Sequence, residues 1–338
     1  MSLPYTHLKT LSDDIGIFEH AKYRVPRIEH GYCVDDVARA LILIERNQPS
    51  DVTIQQLRHT YFQFLRNAQA PNGKFINRCD IYGQWTGPAE TTDHWGRGMW
   101  ALGTVVAKDQ DELLVAEALW RFEHAARHRS EFLRSMMFAS LGALAILRSD
   151  TTSTTATNLI HDATKSVLMK LELMTDLNRE WFWPEQRLTY ANAIIPETLI
   201  LAGEALNDLE TLEVGLEMLQ WLIEQESNNS HFSVTPVGGY EPTAPREKFD
   251  QQSIEVAALV DACASAFDVT GNTEWLPYIA RGLRWFEGSN DSGMAMHDPE
   301  TGAGFDGLTA DGRNENCGAE STICYLSVLD QYQRYFGI

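Results

Sequence analysis

The chain has 338 residues, 44% of them apolar, and carries 27 Lys and Arg against 47 Asp and Glu for a formal net charge of −20. So acidic a protein repels phosphate backbones, and its basic residues form no run, which argues against nucleic acid and anionic polysaccharide and in favour of a neutral ligand. No stretch reaches the roughly 18 apolar residues of a membrane span, and the longest run, Met136 to Leu147, reads as a buried helix. The five cysteines (Cys33, Cys79, Cys263, Cys317, Cys324) are scattered without CxxC spacing, and the chain starts without a secretory pattern. Both features point to reduced, buried thiols in a cytoplasmic protein rather than to disulfides or structural zinc. Nothing resembling a Pro/Ser/Gly linker interrupts the chain, so residues 1–338 are expected to form one domain.

In chain order, Tyr5 to Ser12 offers a short helical segment, and HGYCVDDVARALILI (30–44) then runs from a polar loop into an apolar helix beginning near residue 34. An amphipathic helix over 52–68 follows, then a weak strand signal over Gly73–Trp85. The same event recurs in ETTDHWGRGMWALGTVV (90–106), RSEFLRSMMFASLGALAIL (129–147), WPEQRLTYANAIIPETLILA (183–202), KFDQQSIEVAALVDACASAF (248–267) and NENCGAESTICYLSVL (314–329). Between these lie amphipathic helices over 110–127, 154–175, 209–224 and 273–286, with apolar residues at i, i+3, i+4 and i+7, and a second strand signal at His231–Val237. Helices apolar on nearly all sides alternate with one-faced helices, which predicts an all-α closed toroid of inner and outer helices with short hairpins on one face. The loops leading into the inner helices are long and polar while the opposite turns are short, so function is expected at the inner-helix starts. The longest loop, Gly288 to Gly318, is too long for a mere connector.

The segments HGYCVDDVARAL, GRGMWALG, FDQQSIEVAALVDAC, DPETGAGFDGL and NENCGAEST resemble a bacterial helical domain found alone or fused behind group-1 glycosyltransferases, within the six-hairpin (α/α)6 glycosidase-like superfamily. The resemblance spans nearly the whole chain. It implies an (α/α)6 toroid with a carbohydrate funnel and a functional link to a glycosyltransferase, but no single reaction, since such folds host hydrolases, phosphorylases, lyases and epimerases. One departure is His94-Trp95, where a small residue is expected before the Gly-Arg of GRGMWALG.

At the first inner start Asp35 and Asp36 diverge by about 100° on a helix, so only one faces inward. Asp35 reads as an ion-pair partner of Arg39 at i,i+4 or as a cap, which leaves Asp36 as the catalytic candidate. Asp93 and Arg97 repeat the spacing, with Thr91-Thr92 able to cap and free Asp93. Glu197 and Glu255 each lie within an apolar helix, and Asp250 reads as the N-cap before Gln251-Gln252; these three join Asp36 and Asp93 as catalytic candidates. His30, Tyr32, Arg78, His94, Trp95, Arg97, Trp183, Glu185, Tyr190, Asn192, Gln251, Gln252, Asp306, Asn316 and Glu320 are the candidates for holding sugar: amides and carboxylates for hydroxyls, rings for stacking. No metal-ligand spacing, phosphate loop, dinucleotide fingerprint or G-x-S-x-G is present, so no metal or cofactor is expected.

Carboxylates, amides and aromatics with few bases suit glycoside hydrolysis or phosphorolysis of a neutral oligosaccharide, in which one carboxylic acid protonates the leaving oxygen and a second carboxylate acts from the other side, roughly 6.5–9.5 Å apart in an inverting enzyme. Two alternatives stay open: a sugar 2-epimerase using His30 and His94 as proton-transfer groups, and a non-catalytic glycan-binding domain beside a glycosyltransferase.

Overall fold

A computed structural model describes residues 2–337. It divides into two compact units, one spanning Pro4–Ala163 and the other running from Thr164 onward.

In the N-terminal unit, α1 (Thr6–Thr10) leads to a hairpin of β1 (Ala21–Lys22) and β2 (Val25–Pro26), a 3-10 turn at Ile28–His30 and β3 (Tyr32–Cys33). The helices α2 (Val34–Asn47) and α3 (Val52–Ala68) follow, then β4 (Phe75–Cys79) and β5 (Trp85–Glu90), which extend β3 into a three-stranded antiparallel sheet. The unit continues through α4 (Asp93–Lys108), α5 (Glu112–Ala125), α6 (Leu133–Ser149) and the start of α7 (Thr154–Leu177). The C-terminal unit holds the rest of α7, α8 (Ile194–Leu206), α9 (Leu209–Gln225), the hairpin of β6 (Ser227–Asn228) and β7 (His231–Phe232), α10 (Ser253–Thr270), α11 (Leu276–Phe286) and α12 (Ala319–Phe336). The loop from Gly288 to Gly318 folds into two further hairpins, β8 (His297–Asp298) with β9 (Ala303–Gly304) and β10 (Gly307–Thr309) with β11 (Gly312–Asn314).

All six inner helices form within a few residues of their expected starts, and the outer helices match nearly residue for residue. The N-terminal segment contributes only the single turn of α1. The difference between the two helix sets extends to their N-termini. Among outer helices, Asp51 caps α3 through Thr53 N and Ile54 N, Asp111 caps α5 through Leu113 N and Leu114 N, and Asp208 caps α9 through Thr211 N. No inner helix has a side-chain hydrogen bond from its own N-cap residue. Distant side chains take over: Val34 N donates to Asn77 Oδ1 at 3.1 Å, and Gly318 N to Asp306 Oδ1 at 2.7 Å. This corrects two local expectations. Thr92 turns its hydroxyl to His94 Nδ1 instead of capping α4, and Asp250 is exposed, with Gln252 at the N-cap of α10.

Within the N-terminal unit α4 lies between α2 and α6, and the α4–α6 contact is set by glycine. A Cβ on Gly103 would come 2.1 Å from Gly142 O, and one on Gly142 would come 2.3 Å from Met99 O. The backbones therefore touch, and Met137, Phe138 and Leu141 of α6 are buried. Gly103→Ala is expected to force the pair apart and to lower unfolding free energy by about 1–3 kcal/mol, read by urea denaturation.

At the opposite end of α2, Glu45 is fully buried. Burial, and next the like charge of Asp109, push its carboxyl up to about 8, against the lowering effect of Arg58, whose Nη1 lies 3.9 Å from Glu45 Oε1 and 2.7 Å from Asp109 Oδ2. A raised folded-state value stabilises the protein fully below the ordinary carboxylate range and is lost as pH rises through about 8. Glu45→Gln should therefore flatten the stability loss between pH about 5 and about 9, measured as the wild-type minus variant difference in urea midpoint.

Candidate functional site

In the N-terminal unit the starts of α2 and α4 carry a dense ion-pair network, and it reverses the expected roles of the two adjacent aspartates. Asp36 is the buried one: Arg39 Nη1 donates to its Oδ1 at 2.5 Å and the Cys33 thiol to its Oδ2 at 3.2 Å. Asp35 is the half-buried one, with Oδ1 3.4 Å from Arg97 Nε of the neighbouring α4. The i,i+4 geometry assumed for Asp35 and Arg39 loses because Arg39 reaches the closer i,i+3 partner, and the rotation leaves Asp35 facing α4. Arg97 is itself buried, with its guanidinium 3.8 Å over the Phe138 ring of α6. One side chain thus ties α2, α4 and α6 together beside a partly exposed carboxylate. Asp93 is half-buried at the first position of α4, one turn before Arg97.

Glu19, which nothing in the sequence singled out, pairs with Arg78, and its carboxylate lies with Cys33 and Asp36 so that one ligand atom from each falls within 4.8 Å of the others. The trio is a poor fit for a cation. Arg78 and Arg39 already supply positive charge to both carboxylates, and burial, then Asp36 and Asp35, push the Cys33 thiol well above its ordinary range.

His30 and His94 do not form a proton-transfer pair. His94 is buried with both ring nitrogens engaged, Nδ1 with Thr92 Oγ1 at 2.8 Å and Nε2 with Phe75 O at 2.9 Å. His30 is exposed and meets His20 edge-on, ring centroids 5.1 Å apart. Three proposed sugar contacts are corrected by burial. Tyr32, Trp95 and Trp183 are wholly inaccessible; Tyr32 donates to Asp13 Oδ2 at 2.5 Å and Trp183 stacks on Trp221. Large rings near a helix start serve as core because they cover more apolar area there than any other side chain.

In the C-terminal unit the interior carboxylates are structural. Glu255, from the first turn of α10, accepts from Ala191 N at 2.6 Å, Asn192 N at 3.1 Å and Asn192 Nδ2 at 3.2 Å. It thereby holds the turn into α8, where Ala191 sits at φ 45°, a conformation that costs an L-residue roughly 1–2 kcal/mol. Asn192 Nδ2 also reaches Glu226 Oε1 at 3.2 Å, which accepts in addition from Thr235 Oγ1 at 2.5 Å. Burial pushes the Glu226 carboxyl upward against the lowering pull of Thr235, Arg246 and Asn192. Glu197 is buried in α8 and accepts from Ser265 Oγ of α10 at 3.0 Å.

Gln251 is buried and donates to Lys248 O and to Asp291 Oδ2 at 2.7 Å; Gln252 is half-buried. Asp306 accepts from Ser321 Oγ as well as Gly318 N, a helix-capping role rather than a sugar contact. Glu185 and Asn316 on loops and Glu320 in the first turn of α12 are half-buried, while Tyr190 and Asp250 are exposed, so these retain solvent access.

Asp291 and Glu226 were invisible in the sequence: one lies in a Gly/Asp/Asn loop with no period, the other at the end of a helix where a Glu reads as solvated. Burial would raise Asp291, but hydrogen bonds from Ser233, His231, Gln251 and Asn228 hold its carboxyl at about 2. With the folded-state value depressed, the stabilisation is present above the ordinary carboxylate range and disappears as pH falls toward 2. Asp291→Asn should destabilise the protein at pH 6, with the difference from wild type shrinking steadily between pH about 4 and about 2 in denaturation midpoints.

No family model matches this sequence, and no curated protein matches it by sequence. Solved structures do match. A sugar epimerase from a ruminal bacterium aligns with a TM-score of 0.75 at 12% identity, covering 99% of this chain and 96% of its own. Cellobiose 2-epimerase from Bacillus thermoamylovorans aligns with a TM-score of 0.72 at 12% identity over 99% and 96%, and a GH76 alpha-mannanase from Bacteroides thetaiotaomicron with 0.66 at 11% identity over 98% and 95%. At these identities the likeness shows the fold alone: the chain is an all-α protein with the (α/α)6 toroid fold of these neighbours.

Proposed function

We propose that the protein is a carbohydrate-active enzyme acting on a neutral saccharide, using carboxylates at the inner-helix starts as acid and base. The observation that carries this reading is the pairing of Asp35 with Arg97 at the joint start of α2 and α4, where a partly exposed carboxylate is fixed by a buried guanidinium. A carboxylate held beside a guanidinium in that way is suited to activating water or stabilising an oxocarbenium-like centre, and Asp93 lies one turn before the same arginine. The structural neighbours named for sugar epimerases and a mannanase support the substrate class, and the acidic net charge supports a neutral ligand. Hydrolysis or phosphorolysis is the reading preferred over 2-epimerisation, because His94 spends both nitrogens on structural hydrogen bonds. The five cysteines, all buried and none in a disulfide, favour a cytoplasmic setting, and the resemblance of the inner-helix starts to domains fused to glycosyltransferases favours a role beside such an enzyme.

The test is a panel of cellobiose, manno-oligosaccharides and related neutral glycans, with and without inorganic phosphate, followed by chromatography of products and by mass spectrometry in D2O. Release of sugar or sugar phosphate marks the proposed reaction, and solvent deuterium at C2 without bond cleavage marks the epimerase. Asp35→Asn and Asp93→Asn are expected to keep the fold and lose about 10²–10⁴ in turnover. Asp36→Asn should act on stability first, through Arg39 and Cys33. Normal turnover in both Asp35→Asn and Asp93→Asn would remove the assignment, and Asp250→Asn is the corresponding variant in the C-terminal unit.

A further inference from the structure

The second half of α7 is unlike the other amphipathic helices. Met169, Leu173 and Leu177, spaced i, i+4 and i+8, are 61%, 61% and 72% exposed and form one apolar stripe about 12 Å long. On the inward side, Val167 and Leu171 are buried, so the helix has a second apolar face beyond the one its fold requires. Exposed apolar residues scattered singly are ordinary; three in register on one helix mark a contact surface.

Charge decides what covers it. Lys165, Glu172 and Asp176 follow one another at i, i+7 and i+11, and so line a single edge of the stripe, positive toward its N-terminal end and negative toward its C-terminal end. All three are exposed. A two-fold axis near residue 171 would set Met169 against Leu173 of a second copy and Lys165 against Asp176 of that copy, whereas a parallel pairing would oppose Lys165 to itself. The pattern is self-complementary in the antiparallel sense alone, which is what an isologous interface requires.

The geometry points to α7 as a self-association surface, through which two copies of this chain pair antiparallel, stripe to stripe. One helix pair covers less than the roughly 1,200–2,000 Å² of a standard interface, so the dimer should form in the range of tens of micromolar. The net charge of −20 sets a long-range repulsion that the local lysine contacts must overcome.

Sedimentation equilibrium of the full chain between about 1 and about 200 µM tests this directly, the range bracketing a weak interface. The wild type should pass from monomer to dimer, and Leu173→Glu should remain monomeric with an unchanged circular-dichroism melt. Lys165→Glu alone and Asp176→Lys alone should each lose dimer, since each sets like charges across the two-fold. An equimolar mixture of those two variants should recover it, because the mixed pair has opposite charges at both contacts. A monomeric wild type over the whole range, a dimer that survives Leu173→Glu, or a mixture no more associated than its components would overturn the proposal.

Discussion

The arrangement at the start of the inner helices in the N-terminal unit depends on how closely α4 can approach α6. Gly103 and Gly142 remove the side chains that would otherwise hold the two backbones apart, and the resulting contact leaves room for Arg97 to lie flat over Phe138. From there its guanidinium reaches Asp35 on α2. Close packing in the middle of the helices and charge pairing at their ends are therefore one constraint: a wider α4–α6 separation would move the arginine that positions the exposed carboxylate. Buried arginine beside an aromatic face keeps its charge without full hydration, which is why it can serve as a fixed positive centre here.

A chain with 20 more acidic than basic charges must place many carboxylates, and several of those taken inside are matched by donors. Glu255 is satisfied by two backbone N–H groups and an amide, Asp291 by four side-chain donors, and Asp36 by an arginine and a thiol. Glu45 follows the other route and raises its proton affinity instead. The two solutions have opposite pH signatures because hydrogen bonds to the charged form and burial of that form shift the equilibrium in opposite directions. The same matching stabilises loops. Asp291 draws together the β6–β7 hairpin, the residues before α10 and the long Gly288–Gly318 segment, so a stretch without helical period is nevertheless ordered by a single carboxylate.

Three outer helices begin with a side-chain cap of their own, which no inner helix has. Asp51, Asp111 and Asp208 cap their own helices within three residues, a local solution that any sequence segment can carry by itself. Inner helices receive caps from Asn77, Asp306 and, before α8, Glu255, all contributed by other elements. At the start of α2 the cap from Asn77 thereby releases Asp35 from that task. Asp35 and Asp93, both half-buried at those positions, are the residues that remain available for chemistry.

The sequence alone determined the helices. Apolar residues on all sides against apolar residues on one stripe separate inner from outer, because the number of buried faces is written directly into the period, and the starts at Val34, Asp93 and Ala319 were readable to the residue. The Asp-led outer caps were equally local. What only the tertiary structure decided was the use of each polar side chain at the inner starts. Asp35 and Asp36 are indistinguishable in sequence, and which one is buried follows from the rotation of α2 that puts Asp35 toward Arg97 of α4. Trp95 and Trp183 look like sugar platforms until neighbouring helices close over them, and Glu197 and Glu255 look catalytic until Ser265 and the Ala191–Asn192 turn occupy their oxygens. Period encodes burial one helix at a time, whereas the partners of Val34, Glu197 and Glu255 come from residues 40 to 70 positions away, beyond the reach of any local pattern.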